Sequence, residues 1–295
     1  MRLGIDWGGT KIEIIALDDD GETQFRERVP TPIETYSGSL DAICELVHAA
    51  EAETGKTSSL GIGFPGTISP ITRLVKSVSL PWLKNKPLVD DLGVRLNRSV
   101  RIQNDANCFA VSEALGGAGN GAHLVTGLIL GTGVGCGLAL NGDAHEGHHG
   151  IAGEFGHIPL PWPEADEYPG EKCWCGQMSC TENWISGTGF QKDFQRRSGE
   201  ASQRSVKEIL ALDNDLSKAS YDAFCSRLAR SIALLVCTLD PDVVVLGGGM
   251  SNVTSLYDDV PPLVGAYVFG DEFNTPIVPP KFGDSSGVRG AALLW

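Results

Sequence analysis

No uninterrupted apolar run in this sequence reaches the roughly 18 residues that a membrane-spanning helix needs, so a helical membrane protein is not expected. Positive charge is scarce. There are 23 Lys and Arg against 37 Asp and Glu, a formal net charge of −14. A field of that sign repels nucleic acid and anionic lipid, so neither is expected as a partner. It leaves open a small anion, which a nest of backbone N–H groups can hold. The opening stretch "MRLGIDWGGTK" has no apolar h-region and no small-residue cleavage site. Without a signal peptide the expected location is the cytoplasm. Low-complexity segments are lacking too, and a balance of 42% apolar to 20% charged residues is that of a globular chain.

Eight cysteines in a reducing compartment do not make a disulfide framework. Five of them, Cys44, Cys108, Cys136, Cys225 and Cys237, stand in apolar or helical settings and are expected as buried small hydrophobes. The other three crowd into "CWCGQMSC". With His157 upstream, Cys173, Cys175 and Cys180 give H-x15-C-x-C-x4-C, the ligand set of a structural Cys3His zinc site. The spacing is not that of a zinc finger. Four soft ligands still suit zinc better than a redox pair, and a closed ligand count suits a structural ion better than a catalytic one.

What is present in quantity is glycine, 37 residues, much of it in turns after apolar strands. "RLGID", "WGGTK" and "IEIIAL" read as strand, glycine turn and strand, and "HLVTGLILGTGVGCGLALNGD" repeats the pattern more than a hundred residues later. Two such hairpins suggest an internal duplication, each copy starting a domain. "SGSLDAICELVHAAEAE" has helical spacing with Leu40, Ile43, Leu46 and Val47 on one face and a serine to cap it. "DANCFAVSEALGG" and "YDAFCSRLARSIALLVCTLD" are further helices, "VRIQ" and "PDVVVLGGG" strands, and Trp162 to Lys172 an acidic, proline-bearing loop. Strands alternating with helices mean an α/β fold.

Three glycine turns carry the candidate phosphate contacts: Asp6 to Lys11, Gly131 to Gly135 and Gly247 to Gly249. Glycine lets backbone approach a phosphate and aim N–H groups at it, although any one such turn can be plain hairpin chemistry. Asp6 at a strand end can hold Mg²⁺ through water or simply cap its turn. Asp105, between a strand and a helix, is either an N-cap or a base that takes a proton from a substrate hydroxyl. Asn104 beside it can bond another hydroxyl. Glu154 and His157 in "GEFGH" can contact vicinal sugar hydroxyls, and His157 can bind metal with one ring nitrogen while the other faces substrate.

In this order, DWGGTK, GFPG, NDANC, LGTGVG, GEFGH, CWCGQMSCTE and VVLGGG resemble the ROK family of sugar kinases along essentially the whole chain. The ends "SGTGF" and "GDSSGVRGAA" look most like its fructokinase (manno-fructokinase) branch, while "NDANCFA" and "GLILGTGVG" are similar to its N-acetylglucosamine kinases. The resemblance implies a duplicated ribonuclease-H-like, actin-like ATPase fold with an active-site cleft between two domains. They are expected at 1–116, with a C-terminal helix near 285–295 packed on it, and at 117–284. It implies Asp105 as general base and Asn104, Glu154, His157, Glu182 and Gly66 as sugar-site residues. It places ATP at Gly8, Gly9, Thr10, Lys11, Gly131, Thr132, Gly133, Gly247 and Gly248, with Mg²⁺ near Asp6 and structural Zn²⁺ on His157, Cys173, Cys175 and Cys180. A homodimer is implied as well. The expected reaction is ATP-dependent phosphorylation of a hexose 6-hydroxyl, with fructose first and N-acetylglucosamine or glucose as the alternative. Repressors of the same family carry a helix-turn-helix before the first phosphate strand, which here begins at residue 2. Two departures stand out. Ser179 replaces the usual glycine before the last cysteine, where a left-handed backbone would cost about 1 kcal/mol. Ser77 and Ser79 stand where related kinases often carry asparagines near the sugar.

Overall fold

Period-two alternation decides the first sheet. In β1 (Arg2–Trp7), Leu3, Ile5 and Trp7 enter an apolar core while Gly4 and Asp6 take the opposite face. β2 (Lys11–Leu17) pairs antiparallel with β1 and with β3 (Thr23–Pro30). After helix α1 (Tyr36–Thr54), β4 (Ser59–Phe64) joins β1 in parallel, Asp6 opposite Gly63. β5 (Thr67–Ile68) and β6 (Val75–Lys76) make a separate ribbon. Helix α2 (Leu88–Leu96) leads to β7 (Val100–Asn104), parallel to β4 with Asn104 opposite Phe64, and the chain turns directly into α3 (Asp105–Ala114). The sheet order is β3-β2-β1-β4-β7. The core on one face holds Leu40, Ile43 and Val47 of α1 and Leu88 and Leu92 of α2. The α1 cap is Thr35, whose hydroxyl accepts the Gly38 N–H, rather than the expected serine. Ser39 instead donates to the Pro32 carbonyl. This computed structural model describes residues 1–295 except Glu34, Ser202 and Asp271.

The second sheet repeats the plan. β8 (Leu124–Leu130), β9 (Val134–Leu140), β10 (Asp143–Ala144), β11 (Val243–Gly247) and β12 (Ile277–Val278) are ordered β10-β9-β8-β11-β12. Each position matches one in the first sheet, as the two glycine hairpins predict. Between β10 and β11 lie α4 (Glu182–Ile185), α5 (Gly187–Ser198), α6 (Val206–Leu210) and the 25-residue α7 (Asp215–Leu239). α8 (Leu256–Asp259) and α9 (Pro261–Val264) follow β11. The chain ends in α10 (Ser286–Ala292), which packs on α3, β1 and β4. Glycine makes that packing possible. A Cβ on Gly4 would overlap the Val288 carbonyl, one on Gly61 the Ala291 carbonyl, and one on Gly290 the Cys108 carbonyl. Fully buried Glu113 of α3 anchors the entry to α10, accepting from Lys281 N, Ser286 Oγ and Ala118 N.

Contacts group the chain into two compact units. One is Met1–Gly127 with Gly137–Gly153 and Lys281–Trp295; the other is Leu128–Cys136 with Glu154–Pro280. Boundaries at 116 and 284 remain our proposal for the domains; the contact grouping divides the chain elsewhere, within β8 and β9. No helix among the described residues is long and apolar enough to cross a membrane.

Candidate functional site

In the first unit the ends of three parallel strands collect the expected residues. Such strand ends are where open α/β sheets bind ligands. Asn104 caps α3, its Oδ1 accepting the Ala106 N–H (2.9 Å), while its Nδ2 donates to the Gly66 carbonyl (3.3 Å). The cap is therefore Asn104, and Asp105 is the first helical residue, half-buried. Gly66 has no room for a side chain: a Cβ would lie 2.6 Å from the Phe64 ring and 2.7 Å from the Lys76 carbonyl. Behind this turn, buried Ser77 donates to the Pro65 carbonyl (2.6 Å) and accepts the Leu80 N–H, so its hydroxyl orders the turn. Ser79 is exposed.

Asp6 lies on the same face of the sheet as α10. Burial pushes its carboxyl up to about 6, reinforced by the charges of Asp105 and Glu13 and opposed by Lys11 and Arg28. Glu13, opposite Asp6 in β2, is itself buried and paired with Arg26 and Arg28. The turn Gly8 to Lys11 is fixed from behind. Gly8 N–H donates to the Lys11 carbonyl (2.9 Å), and Thr31 donates its hydroxyl to the Gly8 carbonyl and its N–H to the Thr10 carbonyl. Gly9, Thr10 and Lys11 are exposed.

In the second unit the other two glycine turns meet. Gly131 N–H donates to the Gly133 carbonyl (3.0 Å), and the Gly131 carbonyl accepts from Gly187 N–H (2.8 Å) at the start of α5. Gly248 sits at φ 76°, ψ −178°, a conformation open essentially only to glycine. A Cβ on it would lie 2.6 Å from the Leu130 carbonyl oxygen, so it packs flat on the turn after β8. Thr132 is exposed, and Gly247 ends β11, buried.

The cysteines form one cluster. One ligand atom from each of His157, Cys173, Cys175 and Cys180 lies within 4.8 Å of the others. Cys175 Sγ and Cys180 Sγ are 3.6 Å apart, and Cys173 Sγ is 3.7 Å from His157 Nδ1. A disulfide would need about 2.05 Å. A tetrahedral ion with metal–sulfur bonds of about 2.3 Å spaces its sulfurs by about 3.8 Å, so the cluster fits a tetrahedral metal. Ser179, in place of the usual glycine, has a left-handed backbone at φ 56°, and its hydroxyl accepts from Trp184 Nε1 (3.2 Å). The remaining cysteines depart from expectation at two places. Cys44 is half-buried and Cys237 exposed, because the latter lies on the outer side of α7. Burial and the charges of Asp105 and Asp6 push the Cys108 thiol well up, leaving it unreactive.

Glu182 and His157 belong to this second unit as well, and Glu154 begins its longer segment, exposed. Glu182 has protein partners on both oxygens: Oε1 accepts from Trp174 Nε1 (2.6 Å) and Oε2 from Val134 N (3.0 Å). Trp174 also packs edge-on against the His157 ring, centroids 4.6 Å apart. Sequence reasoning assigned no role to Trp174; the only signal was an aromatic residue between two metal ligands.

A second feature it missed is an ion cluster under the acidic loop. Glu167 accepts from Arg227 Nε (2.7 Å) and from Arg230 (2.8 Å), all three nearly inaccessible to solvent. Arg227 reaches on to Asp193 (3.2 Å) and stacks on Trp184, 4.6 Å from the ring centroid. Burial alone would raise the Glu167 carboxyl, but the hydrogen bonds from Arg230 and Arg227 bring it down to about 2.

Two like sheets, each entered through a strand–glycine turn–strand hairpin, define the actin-like ATPase fold. The chain belongs to the ROK family, whose model matches residues 2–295. It is 41% identical over 303 residues to an N-acetyl-D-glucosamine kinase of Pasteurella multocida (strain Pm70), covering all of this chain and 99% of that protein. It is 39% identical over 301 residues to an N-acetyl-D-glucosamine kinase of Haemophilus influenzae (strain 86-028NP), with the same coverage. Among solved structures, a ROK hexokinase from Thermus thermophilus superposes with a TM-score of 0.88 at 28% identity, covering 99% of this chain and 97% of that one.

Proposed function

We propose that this protein is an ATP-dependent hexose kinase whose sugar is N-acetyl-D-glucosamine. The observation that carries the choice of sugar is the full-length identity of about 40% to kinases of that name. It favours this reading over the fructose reading drawn from "SGTGF" and "GDSSGVRGAA". Support for the reaction comes from the duplicated glycine hairpins and from Asp105 beside the Asn104–Gly66 contact.

Asp105 accepts the proton of the sugar hydroxyl as that oxygen attacks the γ-phosphorus of ATP; the phosphorus–oxygen bond to ADP breaks. Asn104 retains two unused hydrogen-bonding positions, one on the amide nitrogen and one on the oxygen, for a second hydroxyl. Glu154 and the His157 ring nitrogen not used for metal bind sugar hydroxyls. Backbone N–H groups of the turns at Gly8 to Lys11 and Gly131 to Gly133 receive phosphate oxygens, and Gly247 and Gly248 lie against the adenosine. Mg²⁺ fits beside Asp6, where the mutual repulsion of Asp6 and Asp105 favours a divalent cation, and supplies charge neutralisation of the phosphates. Zinc fits the Cys3His cluster and fixes the loop that carries His157.

The test is an ADP-release assay with Mg-ATP and N-acetylglucosamine, N-acetylmannosamine, glucose, mannose and fructose. The highest kcat/KM is expected on N-acetylglucosamine. A preference for fructose would return the chain to the fructokinase reading, and no turnover on any hexose would remove the kinase reading.

A further inference from the structure

Glu182, a sugar-site residue by the family resemblance, has a protein donor on each of its two oxygens. Oε2 takes the N–H of Val134, the residue that closes the Gly131 to Gly133 turn, and Oε1 takes the indole N–H of Trp174 in the cysteine knuckle. The contact with the turn is intimate. A Cβ on Gly133 would overlap the Glu182 carboxylate, so glycine is required there to admit the carboxylate as much as to admit a phosphate. A lone carboxylate at that spot would oppose an incoming phosphate. Two N–H donors, from Val134 and Trp174, disperse its charge and fix its position against the turn.

We propose that Trp174 is a positioning residue for nucleotide: its indole N–H holds Glu182, and through Glu182 it sets the shape and charge of the Gly131–Val134 phosphate turn. Trp174 lies between two ligands of the metal cluster and against the ring of a third. The knuckle that fixes the sugar-side histidine thereby also fixes a phosphate-side turn. Trp174 is 62% exposed, so the indole is not kept for core packing; its polar atom is the part that is engaged. The inference rests on the kinase reading of that turn.

The experiment is titration calorimetry of the Mg²⁺ complex of a non-hydrolysable ATP analogue into the metal-loaded parent, Trp174→Phe, Glu182→Gln and the double variant, with zinc per chain measured for each. Phenylalanine keeps the ring against His157 and removes only the donor. Trp174→Phe is expected to weaken nucleotide binding roughly tenfold, the size of a lost hydrogen bond to a charged group, with zinc content unchanged and sugar KM within about twofold of the parent. The double variant is expected to bind no more weakly than Glu182→Gln alone, because both changes break one relay. Unchanged nucleotide affinity in Trp174→Phe, or an effect confined to sugar KM, overturns the proposal while leaving the kinase reading intact. A parent that binds no nucleotide overturns both.

Discussion

At Asp6 the fold works against its own charge. Its carboxyl sits near 6, above the ordinary value of 3.8, so the native state holds the proton more tightly than the unfolded chain does. The ionised group therefore opposes folding fully above about pH 6 and not at all below about pH 3.8. Asp6→Asn is expected to stabilise the ligand-free protein at pH 7.5 by about 3 kcal/mol and to leave it almost unchanged at pH 4, while turnover falls at least tenfold. Thermal melts at the two pH values check this; coincident melts at pH 7.5 would refute it. Asp105 calls for a different experiment, since the base should matter to chemistry and not to binding. Asp105→Asn is expected to keep sugar affinity within a few-fold and to lose on the order of a thousandfold in kcat; near-normal kcat would refute its role as base. Single residues were also where sequence was most readable. Ser179 stood out as a replacement for glycine, and its backbone is left-handed, at φ 56°. Trp174 was not readable, because its partner is eight residues along the chain and that partner's own contact is the N–H of Val134, 48 residues away.

Among the elements, the acidic loop holds more than its composition shows. It is a loop, as read from its prolines and acidic residues, but within it Glu167 is buried beneath Arg227 and Arg230 of α7. Nothing local to the loop announces two arginines 60 and 63 residues further on. Because the native Glu167 carboxyl lies near 2, below its ordinary 4.5, its contribution is complete above about pH 4.5 and fades as pH falls toward 2. Glu167→Gln leaves two buried guanidinium groups short of charge and is expected to cost about 3 kcal/mol at pH 7. Denaturant melts should find that difference shrinking in acid. A constant difference from pH 7 to pH 3 would contradict the ion-pair origin. The strands and the long helices, by contrast, were legible because their information is local: β4 alternates large apolar residues with glycine, β1 with Gly4 and Asp6, and α7 carries its apolar face within a few turns.

For the whole molecule, duplication was visible from two hairpins more than a hundred residues apart, and the matching strand orders of the two sheets express it. The division into compact units was harder to read, since the chain passes between them inside β8 and β9 and returns at Lys281. The metal proposed for the Cys3His cluster belongs to this scale, because it would staple a loop whose Trp174 and Met178 are exposed. Removing its metal with a strong chelator is expected to lower the melting temperature by roughly 5 °C or more. Zinc should restore it and magnesium should not; a melt indifferent to chelation would count against a structural ion.

The glycine-seated helix at the end of the chain has a consequence for synthesis. The first sheet is complete in sequence by Asn104, yet one of its faces is covered by α10, and Trp295 still donates to the Leu60 carbonyl. At ordinary translation rates the residues from 154 to 295 take roughly ten to thirty seconds to emerge. Until α10 is made, the backbone at Gly4 and Gly61 lacks the helix that covers it, and that seat has no room for a Cβ on either glycine. Residues made well after these strands are thus the ones that cover them, and the glycine seat itself selects them.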